Sequence, residues 1–376
     1  MRGVGKFARR AFVALLGVAV LLAVTLALPI EAWRTGQGEV EQLSLAPAGA
    51  HAVGARRVWV DTDAACGAGP TTDPDDCLAL LALLKAQAVD VVGVSTVFGN
   101  APLDVTDRTT RDLISRLAAD GFRVPPVHRG RASAASANDD APTPAEHALR
   151  DALFDAPMVI IALGPLTNIA AVLRRHPALS PRIQQIVAVM GQRRGHVFHP
   201  VEGGTAGMLL GHGPVFQDFN FVKDHTAAAE VVSLALPMTL IPYEAASEVA
   251  ITERDLGAMS RPGESARWVA ERSLGWLAFW QENIRQRGFF PFDLVAAAYL
   301  LHPGLFRCAE VWASIEPHSW FWRWRLGPSG LFVDQSLEEA DADPLDRIVY
   351  CPRLGAGLHD AILADLTRAR PASMRR

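Results

Sequence analysis

The stretch Val58–Leu83 constrains this chain more than any other. Val58–Val60 is a short apolar run that reads as a buried strand, and Asp61 and Asp63 follow at its carboxyl end. A loop rich in Gly, Pro and Thr comes next, then Asp73, Asp75 and Asp76, then an apolar run at helical spacing from Leu78. In an open parallel sheet the crevice beyond the strand carboxyl ends is where ligands bind. Five carboxylates converging there repel one another and resist ionisation unless a cation sits among them. Oxygen donors with no His or Cys cluster suit a hard cation, Ca²⁺ or Mg²⁺, rather than zinc. Capping is the other use for an Asp in a first helical turn. It accounts for one or two of these acids, not five.

Upstream, Arg2, Lys6, Arg9 and Arg10 precede Ala11–Ile30, an uncharged run long enough to cross a bilayer as a helix. The basic flank places the N-terminus in the cytoplasm and sends the rest across. Residues 1–33 are therefore expected to be a single-pass membrane anchor, with the folded part on the extracytoplasmic side. A cleaved signal peptide is the rival; its apolar region is usually shorter, about 7–15 residues, and ends in small residues. Leu28–Trp33 is a poor version of such a cut site. Residues 34–55 are Gly-, Ala-, Glu- and Gln-rich and read as a linker. Residues 56–376 then form one domain, an ordinary size for an α/β fold. A formal charge of −4 offers nothing to nucleic acid. Cys66, Cys77, Cys308 and Cys351 suit no zinc site and could pair in an oxidising compartment, with the connectivity open.

Beyond the acidic stretch, strand-like and helix-like runs alternate. Val89–Thr96 reads as a strand and Asp104–Ala119 as a helix. Pro157–Leu163 is the near-continuous apolar strand of a sheet buried on both faces, and Leu166–Arg175 follows as a helix. Gln184–Met190 and Leu236–Pro242 are further strands, the second after a helix at Thr226–Leu234. Long helices are expected over Ser265–Arg287 and Asp293–Leu301, then strand-like alternation from Trp312 to Cys351 with Trp320, Trp322 and Trp324 on one face. The fold class is α/β: a mostly parallel, doubly wound sheet with a small antiparallel C-terminal part.

Five blocks, in order, carry a family resemblance. They are Asp61-Thr-Asp63 with Asp75-Asp76; Phe98-Gly99-Asn100; Leu163-Gly-Pro-Leu-Thr-Asn168-Ile-Ala; Phe219-Asn220 with Asp224; and Phe292-Asp293-Leu. The chain resembles the inosine–uridine-preferring nucleoside hydrolases from about Arg56 to Leu366. The resemblance implies cleavage of the N-glycosidic bond of ribonucleosides around one Ca²⁺. It implies that Asp63, Asp76 and Asp293 ligate the metal by carboxylate and Leu163 by its backbone carbonyl. Asp75 would be the general base, taking a proton from a metal-bound water. Asp61, Asn100, Asn168, Asp218 and Asn220 would hold the ribose hydroxyls or brace the metal ligands. Dimers or tetramers are common in the family, so a homo-oligomer is implied.

Four departures stand out. The tight turn before the paired acids is a longer loop, Ala64–Pro74. Phe292 stands where the family's leaving-group acid, a His, usually precedes the last Asp ligand. Asp218 replaces a Glu, and His212 replaces an Asn six residues earlier. His212, His199 and His196 lie in a loop expected to overhang the site, and His212 is the first candidate to supply the missing proton; idle, solvated histidines are the plainer reading. Trp268, Trp276 and Trp280 share a broad helix face bordering the expected nucleobase pocket, with core packing the usual fate of two of the three. Two other functions stay open: a tethered ribosyl-binding protein without turnover, and a phosphatase using Asp61 as nucleophile.

Overall fold

The computed structural model describes residues 13, 15–20, 43–48, 56–138, 141–193, 217–261, 263–318, 327–335 and 347–369, and all that follows concerns these. The strands in chain order are β1 (Ala46–Pro47), β2 (Arg56–Thr62), β3 (Val89–Thr96), β4 (Val127–Arg129), β5 (Met158–Ala162), β6 (Ile183–Ala188) and β7 (Gln192–Arg193). They continue with β8 (Met238–Leu240), β9 (Ile251–Thr252), β10 (Gly288–Phe289), β11 (Phe306–Pro317), β12 (Ser329–Asp334) and β13 (Arg347–Leu354). Among the described residues, 11 of them form one sheet in the order β4-β3-β2-β5-β6-β8-β13-β11-β12-β7, with β1 on β11. Strands β4, β3, β2, β5, β6 and β8 run parallel, β13 joins β8 in parallel, and β7 joins β12 in parallel at the other edge. Strand β11 is antiparallel to its neighbours β12, β13 and β1. The mostly parallel sheet with an antiparallel C-terminal part is thus present, and β9 pairs with β10 in a separate two-stranded antiparallel sheet.

Period-two alternation sorts side chains onto two faces. Val58 and Val60 of β2 join one core and Trp59 the other; Val159 and Ile161 of β5 part in the same way from Met158 and Ile160. The first face is covered by helices Asp75–Lys85, Leu103–Ala119, Glu264–Phe279, Phe292–Leu301 and Leu358–Thr367. The second is covered by Pro144–Asp155, Thr167–Arg175 and His225–Val232. Every residue of Asp75–Lys85 is buried, as suits a helix that is apolar around nearly its whole circumference. It packs against Phe292–Leu301, whose Ala296, Ala297 and Ala298 keep that neighbour slim.

Several expectations are modified. The helix expected over Ser265–Arg287 ends at Phe279, continues as a π-helical turn at Trp280–Ile284, and stops at Arg285, which adopts a left-handed φ of 64°. Within the segment read as linker, Ala46–Pro47 pairs with β11, and Leu43 and Ala48 pack on the two cores. Trp320, Trp322 and Trp324 lie outside the described residues. So does most of Ala11–Ile30: Val13 and residues 15–20 are helical and exposed. No helix among the described residues is long and apolar enough to cross a membrane. The cysteines pair as Cys66–Cys77 and Cys308–Cys351.

Candidate active site

The strand order reverses about β2: β3 and β4 lie to one side, β5, β6 and β8 to the other. Such a switch point opens a crevice at the strand carboxyl ends. Asp61 and Asp63 end β2, Asn100 follows β3, Leu163 follows β5, Gly191 follows β6 and Tyr243 follows β8. The first turns of two packed helices add Asp75 with Asp76, and Asp293. One rim therefore gathers residues from across more than two hundred positions.

Carboxylate oxygens of Asp63, Asp76 and Asp293 lie within 4.8 Å of one another, and all three side chains are buried. Their orientation is fixed by the backbone around them. Asp76 Oδ1 accepts the Asp63 N–H at 3.1 Å and the Thr62 hydroxyl. Asn100 clamps two of the acids, its N–H donating to Asp63 Oδ2 at 2.8 Å and its Nδ2 to Asp76 Oδ2 at 2.9 Å. Gly99 permits that approach, since a Cβ there would lie 1.7 Å from Asp63 Oδ2. The two oxygens of Asp75 accept the N–H groups of Asp76 and Asp293, each at 3.1 Å, and its own N–H donates to Asp73 Oδ1 at 3.2 Å.

Burial, followed by the charge of Asp76, pushes the Asp63 carboxyl well above the usual range. Burial and then the charges of Asp75 and Asp76 do the same to Asp293. The Asp75 carboxyl is raised to about 6 by burial and then by Asp76. Close, buried, like-charged carboxyls held in one orientation are costly without a counter-charge. A hard cation fits this donor set: it would find three carboxylates plus the Leu163 carbonyl. That carbonyl accepts Asn220 Nδ2 at 2.7 Å and keeps a second lone pair.

A cavity of about 500 Å³ opens beside the acids, lined among others by Asp73, Asp75, Asn100, Leu163, Asp218, Asn220 and Asp293. Tyr243, Trp276 and Phe292 complete its apolar wall. Asp61 and Asn168 belong to a layer behind this wall. Asn168 Nδ2 donates to Asp61 Oδ1 at 2.8 Å and to the Thr96 carbonyl at 3.1 Å, while its Oδ1 accepts the Arg131 N–H at 2.9 Å. Both side chains are fully buried; the bonds of Asn168 and of Asp61 Oδ1 go to protein groups, while Asp61 Oδ2 has no hydrogen-bond partner among the described residues. Asp61 is not among the described residues that line the cavity, where a phosphatase nucleophile would have to stand. His212, His199 and His196 lie outside the described residues.

Some contributors carried little signal in the chain. Thr62 sits between two motif acids yet serves as a donor to a third, and Ser95 donates to Asp61 from the neighbouring strand. Asp224, part of the fourth block, caps helix His225–Val232 and accepts the Thr167 hydroxyl at 2.6 Å. Asp218 Oδ2 accepts the Gly191 N–H at 2.7 Å. Two residues beyond Gly191, Arg193 pairs with Glu244, and Glu244 also accepts the Tyr350 hydroxyl at 2.7 Å. Of the three tryptophans, Trp276 lines the cavity, Trp280 is fully buried against Phe290, and Trp268 lies under the guanidinium of Arg272.

Residues 58–326 match the family model described as inosine-uridine preferring nucleoside hydrolase. The chain is 27% identical over 274 residues to the non-specific ribonucleoside hydrolase RihC of Escherichia fergusonii, spanning 66% of this chain and 84% of that one. RihC of Escherichia coli K12 is 26% identical over 273 residues, with the same coverage. Among solved structures, a plant nucleoside hydrolase superposes with a TM-score of 0.66 at 17% identity, covering 84% of this chain and 99% of its own. A purine-preferring ribonucleoside hydrolase from Gardnerella vaginalis gives 0.62 at 15% identity, with 83% and 98% covered.

Proposed function

The chain belongs to the inosine-uridine preferring nucleoside hydrolase family and is an N-ribosyl hydrolase, and from that premise we propose a Ca²⁺-dependent site with Asp75 as general base. The observation that carries this reading is the group Asp63, Asp76 and Asp293, buried with carboxylate oxygens within 4.8 Å of one another, of which Asp293 lines the cavity that Asp75 also lines. Asp63, Asp76, Asp293 and the Leu163 carbonyl would hold the ion. Ca²⁺, which favours six to eight oxygen ligands, would neutralise these carboxylates, acidify water and chelate sugar hydroxyls.

The chain's own groups then divide the work. Asp75 receives the proton of the attacking water, with both of its oxygens aimed by backbone N–H groups. Asn100, Asn220 and Asp218 line the same cavity as Asp75 and are proposed to hold ribose hydroxyls, so that the anomeric carbon faces Asp75. Positive charge that builds on the sugar as the glycosidic bond stretches is stabilised by the surrounding carboxylates. Tyr243, Trp276 and Phe292 offer rings to the departing base.

We also propose that residues 1–33 tether this domain on the extracytoplasmic side. The uncharged run behind a basic flank supports the tether, and two disulfides suit an oxidising compartment. The function is tested by a reducing-sugar assay over a nucleoside panel, with and without Ca²⁺, on protein lacking residues 1–33. Release of free ribose only with Ca²⁺ is expected. Tight nucleoside binding with no ribose released would replace the hydrolase by a binding protein.

A further inference from the structure

The described lining of the cavity carries four carboxyl groups, from Asp73, Asp75, Asp218 and Asp293, and no Lys, Arg or His. A divalent cation held by Asp63, Asp76 and Asp293 leaves one negative charge in excess before Asp75 is counted. The opposite resource is aromatic. The rings of Tyr243 and Phe292 lie 5.8 Å apart at a tilt of 34°, and Trp276 is backed by the stacked ring of Phe279 at 5.1 Å. Carboxylates beside aromatic faces, with no Lys, Arg or His among the described lining residues, form a receptor for an organic cation.

Resting on the hydrolase reading, we propose that this site prefers ribosyl compounds whose leaving group is a cationic nitrogen heterocycle, an N-ribosylpyridinium, over neutral nucleosides. Two demands of the reaction agree with that preference. The first is charge. As the bond breaks, its electron pair passes to the ring nitrogen and the pyridinium departs as a neutral base. The water oxygen bonds to the anomeric carbon, and the water proton goes to Asp75. No proton has to reach the leaving group.

The second demand concerns where an acid would have to stand. A neutral purine or pyrimidine leaves as an anion unless protonated, and an anion is disfavoured in a carboxylate-lined cavity. Asp73 and Asp75 adjoin the cluster on the side where the water is activated, joined by the Asp75 N–H at 3.2 Å from Asp73 Oδ1. The leaving group departs from the opposite face of the sugar. Asp218 already accepts the Gly191 N–H. Phe292, one residue before Asp293, presents a ring and no proton.

The test uses Ca²⁺-loaded protein lacking residues 1–33, with nicotinamide riboside compared against inosine and uridine. Because a pyridinium riboside is intrinsically labile, binding is measured separately. The non-hydrolysable cation 1-methylnicotinamide and its neutral counterpart nicotinamide are compared as inhibitors and as quenchers of tryptophan fluorescence. The expected result is higher kcat/KM for the pyridinium riboside and a methylated cation that binds about fivefold more tightly or better, the scale of one cation–π contact. Equal or weaker binding of the cation, or equal turnover of inosine or uridine, overturns the preference and leaves the hydrolase reading standing. Release of ribose from none of the substrates overturns both.

Discussion

The backbone N–H of Asp293 donates to Asp75 Oδ2 at 3.1 Å, across 218 positions of chain. The bond joins the first turns of two packed helices, so the proposed base and a proposed metal ligand share one rigid support. Partially positive helix N-termini favour the charged form of both carboxylates. Loosening either helix would break this bond and shift one group against the other.

The metal acids are tested first. Asp76→Asn and Asp293→Asn each remove one charge from a three-carboxylate site, and ligand charge count largely sets Ca²⁺ affinity. Calorimetry should show binding sharply weakened in each variant. Asn100→Ala, which loses the side-chain donor to Asp76, should weaken it by about 10- to 100-fold, as removal of an outer-shell partner does. Unchanged binding in both Asp variants would put the ion elsewhere.

Asp75→Ala should leave Ca²⁺ bound but lower turnover of any cleaved ribosyl substrate by about 10²–10⁴-fold, the usual effect of removing a general base. Steady-state rates at saturating Ca²⁺ decide this. A variant as active as the parent would exclude Asp75 from proton transfer.

Stability should depend on pH and Ca²⁺ together. Burial holds the carboxyls of Asp61 and Asp218 up at about 7, and burial with the charge of Asp76 holds Asp75 at about 6, against an ordinary 3.8. Between the ordinary value and these raised ones the folded chain keeps protons that the unfolded chain has lost. Metal-free stability therefore falls as pH rises through that window. Ca²⁺ favours the ionised carboxylates, so the rise in Tm it confers should be larger near pH 7.5 than near pH 5. Thermal scans at the two values, with chelator and with Ca²⁺, give the answer; an equal or opposite trend would contradict it.

The disulfide Cys66–Cys77 closes a ring containing Asp73, Asp75 and Asp76. Replacing both cysteines by Ser should cost about 2–4 kcal/mol of stability. It should also weaken Ca²⁺ binding, because the loop that delivers the acids loses its tie. Peptide mapping without reduction should recover Cys66 with Cys77 and Cys308 with Cys351. Any other pairing would mean that the loop runs differently.

Strand β5 was legible in the chain because a parallel strand buried on both faces must be apolar throughout, and the Met158–Ala162 run is. Strands β2 and β3 were legible from their β-branched apolar runs, Val58–Val60 and Val91–Val94, ahead of polar residues at the strand ends. The acids were legible for a related reason: carboxylates clustered where a strand gives way to a helix have few uses other than binding or capping. Short-range pattern determined those features by itself. It could not separate Asp61 from Asp63, two residues apart with the same side chain. In a continuing strand the two would share a face, but β2 ends at Thr62. Asp61, still in the strand, bonds to Asn168 and Ser95, whereas Asp63, past its end, meets Asp76 and Asn100, and only the packed neighbours define which is which. Nor could it show that Trp276 reaches the cavity while Trp268 and Trp280 do not, since helical spacing gives a face but not what that face meets. The clamp by Asn100, the tie from Asp293 to Asp75 and the Cys308–Cys351 disulfide are contacts between distant segments. Tertiary structure alone decided these, because they form only once the two helices and the sheet are packed together.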